Sequence, residues 1–271
     1  MKNCITYLVR ASDQDIDHFN RSLDLIEKNL LPFCRDVDII VFHEKDLAPF
    51  KNKISSNIPL IFKEIEFILP EYNKDIKDEI PEFYPHPTHG NGPIAYGHKG
   101  FPMGYRHMCR FFFSEIFNHI SEYKTYMRLD TDSFILDPVN HDIFEWFNTQ
   151  GFVYSYIAPA IQIDEQKVCE GLNEVVNKWI KENNIQTISS IDKIPNGTLY
   201  YTNFEIGNIQ WFLEDEKVVL FSKFINDSGK IFSKRWGDAP LRYLQINLFC
   251  EKNKISPVHG IHYQHGATYQ T

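Results

Sequence analysis

The chain has 271 residues, with 28 Lys and Arg against 36 Asp and Glu, a formal net charge of −8. This length suffices for one large α/β domain or two small ones, and the acidic balance excludes a nucleic-acid binder built on a basic stripe. Aromatic residues reach 15%, including 22 Phe and 14 Tyr, which suits a bulky core or a ring platform for a sugar or a base.

In chain order, Cys4–Val9 reads as a buried strand with Arg10 at its C-terminal end. From Asp13 the apolar residues Ile16, Phe19, Leu23, Ile26 and Leu30 recur every three or four positions, predicting an amphipathic helix. Val37–Phe42 and Leu60–Phe67 are further strand candidates, and strand, helix, strand at this spacing predicts a parallel α/β sheet with right-handed crossovers. Between Pro70 and Gly104 the chain is dense in Pro and Gly, with aromatic and histidine side chains between them. A loop that long is expected beside an active site. Tyr105 to Ile120 is helix-like, with Met108, Phe111, Phe112 and Ile116 on its apolar side. Tyr126–Leu129 is a strand that delivers Asp130 and Asp132. Gly151–Ala158 is another strand, and Val168, Leu172, Val175, Trp179 and Ile180 mark a helix. Leu199–Phe204 looks extended, ending at Glu205. Asp238 is placed to cap a helix through Leu241, Leu244 and Leu248, with Pro240 in its first turn. Without a repeat or clean boundary, 1–271 reads as a single domain.

Five scattered cysteines (Cys4, Cys34, Cys109, Cys169, Cys250), odd in number and without CxxC spacing, suit a reducing compartment. No apolar run reaches membrane-spanning length. The chain therefore reads as cytoplasmic or otherwise soluble, and a Golgi-lumenal setting requires an anchor outside this sequence.

Asp130-Thr131-Asp132 carries the chemistry. Two carboxylates one residue apart, after a strand, suit a hard divalent cation that binds a diphosphate, although a solvated turn has the same spelling. In open α/β sheets ligands sit beyond the C-terminal strand ends, and Arg128 either packs behind the pair or reaches a phosphate. His259, His262 and His265 recur every third residue, but Pro257, Gly260 and Gly266 oppose a helix that would align them. His259 and His262 read as polar surface, while one histidine joined to two carboxylates makes an acceptable Mn²⁺ site. Glu205 is either an exposed strand-end residue or a buried, tuned catalytic group, and its context favours the exposed reading. A helix cap accounts for Asp238 without any catalysis. GxxxxGK[ST], GxGxxG and GxSxG are all missing, which disfavours P-loop enzymes, dinucleotide oxidoreductases and nucleophile-elbow hydrolases.

Taken together, Tyr105–Phe112 (YRHMCRFF), the Asp130–Asp132 pair, Asn203–Ile206 (NFEI) and Arg235–Pro240 (RWGDAP) resemble the fungal α-1,2-mannosyltransferases of glycosyltransferase family 15. Leu8-Val9-Arg10, Ile80–Phe83 and the C-terminal histidine segment extend the likeness over nearly the whole chain. The resemblance implies a GT-A fold, a GDP-mannose donor, Mn²⁺, and transfer with retention to a mannose-containing glycan or glycolipid. It implies that Asp130, Asp132 and His265 hold the metal, with His262 the alternative histidine. The family's acidic motif usually reads Glu-Pro-Asp, so Asp-Thr-Asp keeps both carboxylates and shortens the first by a methylene. Glu205 matches a catalytic glutamate, as nucleophile or as stabiliser of the reacting sugar, with Tyr105 beside it. Arg10, Arg128 and Asp238 fall among the donor-binding residues. The rival readings are a same-fold enzyme using another nucleotide sugar and an inactive glycan- or nucleotide-binding scaffold.

Overall fold

A computed structural model describes residues 1–70, 103–157, 161–164, 166 and 168–266, and the backbone of 268–270. The expected loop at 70–104 thus lies outside the described residues over 71–102, as does Ala158. In chain order the strands are β1 (Asn3–Val9), β2 (Val37–His43), β3 (Leu60–Glu64), β4 (Thr125–Leu129), β5 (Ser133–Ile135), β6 (Tyr154–Ile157), β7 (Ile161–Ile163), β8 (Thr198–Tyr200), β9 (Phe204–Asn208), β10 (Ile255–Val258), β11 (Tyr263–His265) and β12 (Thr268–Gln270). The helices are α1 (Asp13–Asn29), α2 (Met103–Arg110), α3 (Ile116–His119), α4 (Ile143–Thr149), α5 (Leu172–Glu182), α6 (Ile209–Glu214), α7 (Glu216–Ser228), α8 (Lys230–Ser233) and α9 (Asp238–Phe249). A π-helical turn at Phe111–Glu115 joins α2 to α3.

A seven-stranded sheet in the order β10-β6-β9-β4-β1-β2-β3 forms the centre. Among the described strands of this sheet only β9 runs against the rest. The α/β class with a mostly parallel sheet flanked by helices is therefore as expected. Strand alternation assigns the two faces. Met127, Leu129, Phe204 and Ile206 turn to one core, with Ile16, Phe19, Leu23 and Ile26 of α1 and Phe144 and Phe147 of α4. Tyr126 and Tyr154 turn to the other, with Phe111, Phe112, Phe113 and Leu241, Leu244 and Leu248 of α9. The α1 stripe predicted from spacing is the buried stripe. Ser12 caps that helix by accepting from the Asp15 N–H.

Three expected elements differ. α5 starts at Leu172, after Gly171 in the left-handed region, so Val168 lies before the helix it was expected to join. β3 ends at Glu64, short of Phe67, because its pairing with β2 stops at His43. The extended stretch expected over Leu199–Phe204 is two strands: β8 pairs with β7, and β9 starts at Phe204 and enters the main sheet. A turn at 201–203 reverses the chain. As β9 is antiparallel, this turn lies at the same sheet edge as the C-terminal ends of β1 and β4. Among the described residues no helix is long and apolar enough to cross a membrane.

Candidate active site

At that edge β4 hands the chain from Leu129 to Asp130. The turn is pinned: the Asp130 N–H donates to the Asn203 carbonyl and the Ser133 N–H to the Asp130 carbonyl. β5 then pairs with β11, with Ser133 opposite His265, and the Gly266 N–H donates to the Asp132 carbonyl at 2.9 Å. This pairing brings residues 133 apart in sequence together. His265 Nε2 stands 3.1 Å from Asp132 Oδ1 and 3.8 Å from Asp130 Oδ2.

Among the described residues no group of three or more His, Cys, Asp or Glu side chains is placed to hold a metal ion as it stands. The structure holds an imidazole bonded to one carboxylate and close to a second, each a quarter to a third exposed. Burial works against charge on both partners and is outweighed. The His265 bond holds the Asp132 carboxyl below the usual carboxylate range. The Asp132 bond and the charges of Asp130 and Asp132 raise the His265 pKa. His262, the alternative histidine, pairs with Asp137 at 2.9 Å instead, and His259 is exposed.

Behind the pair, Arg128 is 2% exposed. Its Nε donates to Asp130 Oδ1 at 3.0 Å and its Nη1 to Asp238 Oδ2 at 2.5 Å, and its guanidinium lies 3.6 Å from the centre of the Phe112 ring. Of the two placements left open, Arg128 packs behind the carboxylates. It leaves Asp130 Oδ2 to face His265.

Asp238 corrects an expectation: it does not cap α9. Gly237 occupies the cap position without a side-chain bond, and the Asp238 carboxylate accepts from Arg128, Thr202 and Cys109. Burial opposes its charge, yet Arg128 wins and holds its pKa below the ordinary value. α9 is buried almost all round, so its first residue serves the interior.

Glu205 overturns the exposed reading. It is the second residue of β9, opposite Arg128 in β4 and Tyr156 in β6, and is 1% exposed. Tyr126 donates to its Oε1 at 2.9 Å, and Tyr154 and Arg242 Nε donate to its Oε2 at 2.8 and 3.3 Å. The phenols on this carboxylate are thus Tyr126 and Tyr154, in place of the expected Tyr105. Arg242 also donates to the Phe112 carbonyl, within the π-helical turn, and to Gln245. A buried carboxylate demands such partners. An arginine amid the leucines of α9 was the sequence signal for it.

Tyr105 sits on α2 with 37% of its surface exposed, while its hydroxyl lies deep. Burial first, then the neighbouring Asp238 and Asp164 carboxylates, push its pKa well up. Arg10 is at the mouth: its backbone N–H donates to Asp15 at 2.8 Å and its guanidinium is 3.9 Å from that carboxylate. Asp15, raised by burial, also takes a Thr131 hydrogen bond and feels Asp132. Sequence reading missed Asp15, Tyr126, Tyr154, Tyr201 and Arg242. Tyr201, from the turn before β9, places its hydroxyl 3.0 Å from His265 Nδ1.

Comparison with known proteins shows what the chain is similar to. Core-mannan synthase A of Aspergillus fumigatus, in a Mn/GDP form, superposes with a TM-score of 0.83 at 19% identity, covering 99% of this chain and 76% of that one. The likeness is one of fold. The probable mannosyltransferase KTR3 of Saccharomyces cerevisiae is 31% identical over 187 residues, 64% of this chain and 46% of the relative. Glycolipid 2-alpha-mannosyltransferase 1 of Candida albicans is 30% identical over 184 residues, 64% of this chain and 41% of the relative. These matches span less than half the length of the curated relatives. The pattern described as glycolipid 2-alpha-mannosyltransferase matches residues 2–271, and on that match the chain belongs to this family, glycosyltransferase family 15.

Proposed function

We propose that this chain is the catalytic part of a metal-dependent, retaining α-1,2-mannosyltransferase that moves mannose from GDP-mannose to a mannose-containing glycan or glycolipid. The observation that carries this reading is the convergence of Asp130, Asp132 and His265 at the C-terminal edge of the sheet. Relatives named as mannosyltransferases and a fold neighbour in a Mn/GDP form support it.

The residues present fit a Mn²⁺ ion, because two carboxylates and one imidazole are donors that this cation accepts. Asp130 Oδ2, Asp132 and His265 Nε2 would hold it. Bound there, the metal supplies Lewis-acid stabilisation of charge on the departing diphosphate.

The chain's own residues do the rest. Arg10, beside the Asp15–Thr131–Asp132 chain of contacts, offers an exposed cation to the nucleotide. Arg128 and Asp238 contribute to donor binding from behind, holding Asp130 in one orientation. Tyr105, partly exposed on α2 and near enough to feel the Asp238 charge, is the group assigned to orient the reacting sugar.

Glu205 retains a catalytic role, and its surroundings fit charge stabilisation better than bond formation. Both oxygens already accept hydrogen bonds, and 1% exposure gives an anomeric carbon no approach. Arg242, at 3.3 Å, tempers its field, so its contribution to an oxocarbenium-like sugar acts through space.

Calorimetry of GDP binding with and without Mn²⁺, on the wild type and Asp132→Ala, tests this reading. GDP should bind tightly only with Mn²⁺, and the variant should lose that dependence. Unchanged Mn²⁺–GDP affinity in Asp132→Ala sinks the assignment.

A further inference from the structure

Tyr201 is absent from every set of residues inferred above to touch donor or metal, yet its hydroxyl is 3.0 Å from His265 Nδ1. The two rings also meet edge to face, with centroids 5.4 Å apart at 85°. We propose that Tyr201 is a positioning residue that fixes His265 in the Nδ1–H tautomer and so presents Nε2 as a lone-pair donor to a divalent cation. This inference rests on the metal-site reading of Asp130, Asp132 and His265.

A neutral imidazole carries one proton, and a nitrogen that ligates a metal cannot carry it. If Nε2 ligates, the proton must sit on Nδ1, and a half-buried N–H needs an acceptor. Nε2 faces Asp132 at 3.1 Å, a contact that needs Nε2–H unless a cation takes the proton's place; with the cation there, the Nδ1–H donates to the Tyr201 oxygen on the other side. The ring pair limits rotation of the imidazole, and His265 is anchored by its pairing with Ser133. Tyr201 is in turn set by the chain reversal between β8 and β9, so the strand that bears Glu205 also delivers the group that orients the histidine. Partners of this kind contribute about 10- to 100-fold to metal affinity.

Tyr201→Phe deletes the oxygen and keeps the ring. The free Mn²⁺ electron paramagnetic resonance signal, titrated in the presence of GDP, reads binding without turnover. The wild type should bind, His265→Ala should set the floor, and Tyr201→Phe should bind about 10- to 100-fold more weakly with an unchanged thermal unfolding midpoint. Wild-type binding with Tyr201→Phe affinity within about twofold of it overturns the inference and leaves the metal site standing. A wild type that leaves all Mn²⁺ free overturns the metal site itself. Should Tyr201→Phe unfold, long-range ¹⁵N spectra of the wild-type histidines with diamagnetic Mg²⁺–GDP decide. An Nδ1–H ring at His265 supports the proposal, and an Nε2–H or doubly protonated ring overturns it.

Discussion

Replacing Glu205 with Gln removes one negative charge from the centre of the sheet and little volume. Its partner Arg242 is equally buried, at 3.3 Å and 2% side-chain exposure. At that separation an effective dielectric of about 20 gives a Coulomb attraction of roughly 5 kcal/mol. Part of this survives. Arg242 keeps its bonds to the Phe112 carbonyl and Gln245, and its guanidinium stays 4.4 Å from the Phe212 ring centre. The amide oxygen of Gln can still accept from one phenol. The expected loss thus lies at the lower end of the ~3–5 kcal/mol seen when one partner of a buried pair is removed. About 3 kcal/mol corresponds to roughly 6–12 °C in a domain of this size. Urea unfolding followed by circular dichroism, on Glu205→Gln, Arg242→Met and the double variant, measures the loss and its coupling. Both single variants should be destabilised, and the double by less than their sum. A Glu205→Gln variant within about 0.5 kcal/mol of wild type would refute the buried Glu205–Arg242 pair.

At temperatures where Glu205→Gln remains folded, turnover should fall sharply while Mn²⁺–GDP affinity holds. An equal fall in both would make Glu205 a binding or folding residue. Gly207→Ala would put a Cβ 2.5 Å from Tyr126 Cε1 and 2.9 Å from Phe212 Cε2, which should destabilise by about 1–3 kcal/mol and loosen Tyr126 from Glu205; a neutral effect on the unfolding midpoint contradicts that packing. For Asp238 the sign follows from its lowered pKa: its stabilising charge is present above the unfolded value of about 3.9 and lost as pH falls through the folded one. The urea-midpoint gap between wild type and Asp238→Asn should be full near neutrality and shrink below about pH 4, and a gap that ignores pH refutes the Arg128–Asp238 pairing.

What sequence reading could reach was local. The α1 stripe, the β1, β2 and β4 strands and the place of Asp130–Asp132 at a strand end follow from spacing alone, because each is decided within one element. Glu205 and Asp238 were misjudged because their surroundings are built by partners far away. Arg242 lies 37 positions beyond Glu205, Tyr126 lies 79 before it, and Arg128 lies 110 before Asp238. Seen locally, a glutamate after an extended stretch resembles an exposed end, and an aspartate before Ala-Pro-Leu resembles a cap. The reversal at 201–203 has no glycine or proline to mark it, so Tyr201 looked like one more aromatic in an extended run. His265 was placed by resemblance. Its position beside Asp132 depends on β5–β11 pairing, which no periodicity in the short tail announces.

Metal-dependent transfer from GDP-mannose is tested by GDP release from that donor with and without Mn²⁺. Methyl α-mannoside serves as acceptor, UDP sugars as donor controls, and NMR reads the new linkage. GDP release should need Mn²⁺, rise with acceptor and yield an α-1,2-linked dimannoside. Turnover that is indifferent to Mn²⁺, or that prefers a UDP sugar, would contradict that reading.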